Sequence, residues 1–240
     1  MSTRFVDRYA VILFDMNSTF MFGEDRFGED EDFFSSYTLL GGSRLDRHAV
    51  DTAIRRCYRG MSIDYEDSAK ADDFPTLAEG LRHYADAMEA DIPLLEAVFA
   101  FHERGHVPPD IAACLRRLSR THRLGIVSNI WARKDPWLAE FDRAGIADIW
   151  DVIVFSSDSR SIKPSPRLFR EAMDAFDVPV SDMLFVGDSL RVDIAPARSL
   201  DLGTVWITRS AEHHPLADRI AASILDLEHM GAHSTRARQD

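Results

Sequence analysis

The 240-residue chain is poor in cysteine, in basic charge and in long apolar runs. Its two cysteines, Cys57 and Cys114, fall in segments that read as helices, so buried free thiols in a reducing compartment are expected rather than a disulfide. No window approaches the ~18 apolar residues of a membrane span. The apolar run from Tyr9 to Phe14 is too short for the core of a signal peptide and ends in Asp15. Lysine and arginine number 28 against 40 aspartates and glutamates, a net charge of -12. That balance disfavours a nucleic-acid groove or an anionic membrane as partner, though not a locally positive pocket for a small anion. No phosphate-binding P-loop and no G-x-G-x-x-G occurs, so no motif implies a nucleotide cofactor. No repeat or low-complexity tract is present. A cytoplasmic protein is the expectation, and its oligomeric state is not legible.

Apolar residues make up 45% of the chain, enough for one good-sized core with an inserted subdomain. Five runs read as buried parallel strands because they are continuous rather than alternating: YAVILF before Asp15, RLGIV before Ser128, DVIVF before Ser156, MLFVG before Asp188 and TVWI before Thr208. Helical patterns over Asp110 to Arg120, Asp135 to Ala144, Ser165 to Phe176 and Val192 to Leu200 precede the last four. This alternation implies an open α/β sheet with crossover helices.

Between Phe20 and about Val107 no strand-like run occurs. Helices are expected around Asp32 to Leu40, Leu45 to Tyr58, Leu77 to Met88 and Pro93 to His102, the third announced by a capping box of Thr76 and Glu79 behind Pro75. We therefore divide the chain into a core of residues 1-20 and 108-240 and a helical cap of residues 21-107. The polar, acidic stretch GEDRFGEDED suits a hinge. The tail GAHSTRARQD after Met230 is expected to fray.

In an open parallel sheet, ligands collect beyond the carboxyl ends of the strands. Asp15 and Asn17 follow the first strand, Ser128 and Asn129 the second, and Asp188 and Asp193 the fourth; Lys163 lies in the link SIKPSP after the third. Asp15 can serve as a nucleophile. Asp188 and Asp193, with a backbone carbonyl from the first loop, supply hard oxygen ligands suited to Mg²⁺. Ser128 and Lys163 can hold anionic oxygens. Together these groups outline a phosphoryl-transfer site.

FDMNST, IVSN, IKPSPRLF and FVGDSLRVDIAPAR, in that order, resemble the four motifs of the haloacid dehalogenase superfamily. The resemblance covers Tyr9 to Thr19 and about Pro108 to Ile207; the cap is similar only in position and helical character. It implies a Rossmann-like core, an aspartyl covalent intermediate at Asp15, phosphoryl binding by Ser128, Asn129 and Lys163, and Mg²⁺ held by Asp15, Asp188, Asp193 and the backbone of Asn17. The substrate it implies is a small phosphorylated or otherwise anionic metabolite. Asn17 departs from the family, whose phosphatases have a second aspartate there as acid and base. A carboxamide has no titratable proton to offer. Ser18 replaces the usual glycine, which implies a loop that avoids positive φ.

Three readings follow: an Mg²⁺-dependent phosphatase weakened in its proton-transfer step or specialised for good leaving groups such as acyl phosphates; a dehalogenase-like enzyme; and a non-catalytic binder of phosphorylated ligands. Asp188 and Asp193 weigh against the second, since the resemblance puts Ser or Asn in that region of metal-independent dehalogenases. Lys70, the one cap lysine, lies among carboxylates that favour its charged form, so a solvated lysine is expected rather than a Schiff-base lysine. HERGH, His102 to His106, matches the H-E-x-x-H zinc pattern, but Gly105, Pro108 and Pro109 point to a helix end at the return from cap to core. His213 and His214 read as a loop pair. Arg44 and Arg55 are candidates to meet an anionic substrate or to sit on the surface.

Overall fold

The computed structural model describes residues 4-210 and 213-231. The five apolar runs form strands β1 (Val11–Phe14), β2 (Arg123–Ser128), β3 (Trp150–Phe155), β4 (Met183–Gly187) and β5 (Gly203–Ile207). A short sixth strand, β6 (Arg219–Ala221), has no apolar run to announce it. The sheet runs β3-β2-β1-β4-β5-β6 and every neighbouring pair is parallel. β1 is central, with Phe14 level with Ile126 on one side and Val186 on the other. Strand order reverses across β1 and β4, which opens a crevice at their carboxyl ends.

Alternate residues of β1 supply two separate cores, as the two-residue side-chain period requires. Ile12 and Phe14 face helices α5 (Pro109–Leu118) and α6 (Asp135–Ala144), packing with Leu115, Trp137 and Phe141. Val11 and Leu13 face α7 (Pro166–Asp174) and α8 (Ala195–Ser199), packing with Leu168, Phe169 and Ala197. All four β1 side chains are fully buried. Each of β2 to β5 follows one of these helices, as expected of crossover connections.

Between β1 and β2 the chain is helical: α1 (Phe33–Leu39), α2 (Arg47–Glu66), α3 (Leu77–Ala85) and α4 (Ile92–Glu103). Asp32, Asp46 and Thr76 cap the first three through their side chains, and Thr76 forms the expected capping box with Glu79. α2 runs two turns past Tyr58. Its last turns are held by Asp64, which is buried and accepts from Lys70 and from the Tyr84 hydroxyl of the next helices. Lys70 is thereby ion-paired and lies outside the cleft around Asp15. The two ends of this insertion meet, because Phe22 and His106 exchange both backbone hydrogen bonds, each 2.9 Å.

Cys57 and Cys114 are buried free thiols. Among the described residues no helix is long and apolar enough to cross a membrane. Of the tail after Met230 only Gly231 is described, and residues 232-240 lie outside the described residues.

Candidate active site

The loop leaving β1 sets the site. The Asp15 N–H donates to Val186 of β4 (2.9 Å), so the strand ladder fixes the backbone of Asp15. The carbonyl of Met16 then accepts the N–H groups of Thr19, Phe20 and Met21, closing a tight turn. Inside it Ser18 adopts φ 57°, which corrects the expectation that serine here avoids positive φ. The left-handed conformation costs a non-glycine residue about 1 to 2 kcal/mol. Here the Ser18 N–H donates to Met21 (2.8 Å) and its hydroxyl to Glu24 (2.6 Å), local bonds that offset the strain.

Three side chains converge on the Asp15 carboxylate, which is buried. One oxygen accepts from Lys163 Nζ (2.5 Å) and from the Ser128 hydroxyl (3.3 Å) at the end of β2. The other accepts from the Thr19 hydroxyl (3.1 Å), which sequence reasoning did not single out. Lys163 is fully buried and also donates to Asp193 (2.6 Å). Burial alone would lower the Lys163 ammonium, but the charges of Asp15 and Asp193 outweigh it and hold the group above the ordinary lysine value.

Asp193 sits in a π-type turn, Leu190–Ile194, between β4 and α8. Its second oxygen accepts the Ser189 N–H (3.0 Å). The turn can close this tightly only because residue 187 is glycine: a Cβ there would come within 2.6 Å of the Asp193 Cβ. Carboxylate oxygens of Asp15, Asp188 and Asp193 lie within 4.8 Å of one another, and among the described residues this is the one group with metal-binding spacing. Burial, then the charges of Asp15 and Asp193, raise Asp188 to about 7. Burial also raises Asp193, to about 6, against the pull of Lys163. Three hard carboxylates crowded this closely fit a small divalent cation.

Asn17 lines the same cleft, and its side-chain oxygen is buried with no hydrogen-bond partner. Asn129 is engaged in positioning: its oxygen accepts the Lys163 N–H (2.8 Å), and its nitrogen donates to the Lys163 carbonyl (3.2 Å) and the Tyr65 hydroxyl (3.0 Å). It thus ties the lysine to β2 and to α2.

The cleft over Asp15 has a volume of about 480 Å³. Its far wall comes from the insertion. Tyr58, Ser62 and Tyr65 recur at helical spacing along one face of α2. Glu24 and Asp25 come from the loop after β1, Glu103 from the end of α4, and Trp131 from the loop after β2. HERGH is therefore not a zinc motif: α4 stops at Glu103, and His106 belongs to the Phe22 bridge. A Cβ at Gly105 would lie 2.7 Å from the Phe22 carbonyl oxygen. The segment is the expected helix end at the return from cap to core, but two of its polar side chains are buried. His102 is buried against Ser36 (2.8 Å), and Glu103 is buried with its oxygens accepting the N–H groups of Trp131 (2.5 Å) and Ala132 (2.8 Å). Arg44 and Arg55 do not line the cleft; Arg55 donates to the carbonyls of Gly28, Glu29 and Glu31, and Arg44 pairs with Asp91 (3.4 Å).

Over 184 residues, 70% of this chain and 76% of the relative, the sequence is 27% identical to a glyceraldehyde 3-phosphate phosphatase of Pyrococcus abyssi. It is 30% identical over 133 residues to a phosphoserine phosphatase of Thermus thermophilus, covering 55% of this chain and 52% of that protein. The crystal structure of an HAD phosphatase from Thermococcus onnurineus shares the fold, with TM-score 0.60 and 22% identity over 91% of this chain and 95% of that one. A 2-haloacid dehalogenase from Pseudomonas syringae shares it as well, with TM-score 0.61 and 21% identity over 92% and 96%. The sequence pattern of the haloacid dehalogenase-like hydrolases matches residues 9–201, most of the chain and every strand that builds the site, and the protein belongs to that family of hydrolases.

Proposed function

We propose that the protein is an Mg²⁺-dependent phosphatase that acts on a small phosphorylated metabolite through a phospho-aspartyl intermediate at Asp15. The observation that carries this reading is the grouping of Asp15, Asp188 and Asp193 within 4.8 Å, with Lys163 bonded to two of the three. Asp15, Asp188, Asp193 and the backbone carbonyl of Asn17 would hold the cation; that carbonyl accepts no hydrogen bond among the described residues. When bound, Mg²⁺ neutralises charge on the phosphoryl oxygens.

The residues of the chain do the rest. An Asp15 oxygen attacks phosphorus, and the bond from phosphorus to the ester oxygen breaks. Ser128 and Lys163 exchange part of their bonding to Asp15 for the phosphoryl oxygens, and Asn129 keeps Lys163 in register. Water then attacks the phosphorus of the acyl phosphate, releasing phosphate and restoring the carboxylate. The alcohol must take its proton from water, because Asn17 has none to give. Alkyl esters are therefore slow, and substrates with good leaving groups are favoured. Residues 21-107 act as the cap that closes over this chemistry.

Hydrolysis of alkyl phosphates and acyl phosphates, with and without Mg²⁺, by wild type and Asn17→Asp tests the proposal. General acid catalysis is worth about 10²- to 10⁴-fold, so Asn17→Asp should raise alkyl phosphate turnover by up to that factor and acyl phosphate turnover much less. Mass spectrometry before assay excludes deamidated Asn17 as the source of wild-type activity. Absence of Mg²⁺-dependent turnover in both proteins, on every substrate, overturns the reading. Metal-free halide release from 2-haloacids that disappears in Asp15→Asn would replace it with a dehalogenase.

A further inference from the structure

The floor and the far wall of the cleft differ in how their charges are matched. On the floor Lys163 bridges Asp15 and Asp193. At the rim Arg191 is committed to Glu66 (3.0 Å) and lies over the Tyr65 ring, 5.6 Å from its centroid. The wall has no such partner. Among the described residues no basic side chain pairs with Glu24, Asp25 or Glu103. One oxygen of Glu24 is buried without any hydrogen-bond partner. Burial, and the nearby Asp25 after it, raise Glu103 to about 8 against the two backbone N–H groups it accepts. Asp25 lines the same cleft with its side chain exposed to solvent. Glu24 accepts the Ser18 hydroxyl and Glu103 two backbone N–H groups, but among the described residues no basic side chain neutralises these acids.

Aromatic rings lie among them. Trp131 is the hub, with its ring centroid 5.8 Å from Tyr58, 5.9 Å from Tyr65 and 6.0 Å from Phe99. Tyr58 and Trp131 both face the cleft, and the backbone of Trp131 is held by Glu103 itself. Glu24 and Asp25, interleaved with Trp and Tyr, favour an organic cation twice over, by Coulomb attraction and by the ring quadrupole, while Glu103, raised to about 8, is mostly protonated at neutral pH until a cation draws it into its charged form. A metal ion fits the wall poorly. Glu24, Asp25 and Glu103 do not meet the 4.8 Å mutual spacing that Asp15, Asp188 and Asp193 meet, so their oxygens do not converge on one point. A bulky ammonium group needs no such convergence.

We propose that the wall formed by Glu24, Asp25, Glu103, Tyr58 and Trp131 is a subsite for a positively charged nitrogen, so that the phosphorylated substrate carries an alkylammonium group beyond its phosphoryl group. The phosphoryl half of this assignment rests on the phosphatase reading; the cation subsite stands on the wall alone. The substrate is then a zwitterion, with its phosphate at Lys163 and Ser128 and its nitrogen among the insertion's acids. An alcohol ending in a carboxylate is repelled by the same wall.

Two measurements separate the two halves. Calorimetry with the whole protein compares choline and ethanolamine with 3,3-dimethylbutan-1-ol, the uncharged carbon counterpart of choline; the cations should bind at least about tenfold tighter. Hydrolysis with Mg²⁺ compares phosphocholine and phosphoethanolamine with 3,3-dimethylbutyl phosphate and with 3-phosphoglycerate, and kcat/KM should fall in that order by about tenfold at each change of charge. In Asp25→Asn, and independently in Glu24→Gln, the ratio of cationic to neutral substrate should shrink several-fold. Equal binding of choline and its neutral counterpart, or ratios unmoved in both variants, overturns the subsite. Selective choline binding without Mg²⁺-dependent hydrolysis of any ester or acyl phosphate, by wild type or by Asn17→Asp, leaves the subsite standing and refutes the phosphatase. Hydrolysis without charge preference does the reverse.

Discussion

Replacing Lys163 by Met removes the one buried cation that serves two buried carboxylates, Asp15 and Asp193. Methionine keeps the length and apolar stem of lysine, so the loss is electrostatic rather than a cavity. Breaking a buried pair by deleting one partner costs about 3 to 5 kcal/mol, a large part of the about 5 to 15 kcal/mol that holds a domain folded. For a chain of this size that corresponds to a fall in Tm of roughly 6 to 20 °C. The pH dependence is the sharper test. In the wild type the folded value of Lys163 lies above its unfolded one, so its contribution is complete across neutral and acidic pH and is lost only as pH rises through the folded value. In the variant, Asp15, Asp188 and Asp193 repel one another unopposed. Asp188 and Asp193 already stand at about 7 and about 6 with the lysine present, and its removal raises them further. Raised carboxyl values favour the folded state as pH falls, so the deficit should be largest near pH 8 and shrink by half or more near about pH 5. Urea titrations of both proteins in EDTA at the two pH values measure this. A deficit below about 1 kcal/mol, or one equal at both pH values, would show that the buried charges are not coupled as argued.

Three further outcomes follow from single contacts. Gly187→Ala should lower turnover by at least about 10²-fold with a stability loss of about 1 to 3 kcal/mol, because the added Cβ displaces Asp193; unchanged kinetics would refute the close approach. Gly105→Ala should destabilise by a similar amount, about 1 to 3 kcal/mol, read as early hydrogen exchange at Phe22 and His106, whose mutual bonds the new methyl disturbs. Glu140 is buried, which alone would raise it, yet Arg143 and the Val107 N–H hold it below the usual carboxylate range. Its stabilisation is therefore present above the unfolded value and lost as pH falls through the folded one; Glu140→Ala should cost about 1 to 3 kcal/mol near neutral pH and progressively less below about pH 4.

What the sequence made legible was what local periodicity encodes. β1 to β5 are continuous apolar runs, and the helices between them carry apolar stripes, so both the sheet and the strand ends bearing Asp15, Ser128 and Asp188 could be read. β6 escaped notice because a three-residue strand at a sheet edge, with only Ala221 buried, needs no apolar run. The true length of α2 depends on Asp64 finding Lys70 and Tyr84, contacts no periodicity reveals. Thr19 joins the nucleophile through a turn whose tightness was hidden by the positive φ of a serine. The acidic and aromatic wall was the least visible. Glu24, Glu103 and Trp131 are separated in the chain and brought together by tertiary packing, and Glu103 was masked by its place in a zinc-like motif.

The bridge between Phe22 and His106 has a consequence for inheritance. A hydrogen-bonded pair of this kind puts the two chain crossings about 5.5 Å apart, so everything from Gly23 to Gly105 hangs from the sheet by a closed neck. Such a segment can vary as a cassette where it does not touch the core, whereas at Tyr65, Ala71, Phe74 and Glu103 it is bonded to core loops and must keep its fit. The nucleophile and its lysine stay with the sheet, while most of the wall travels with the cassette. The reaction proposed for Asp15 and the substrate preference proposed for the wall are therefore carried by parts of the chain that can change separately.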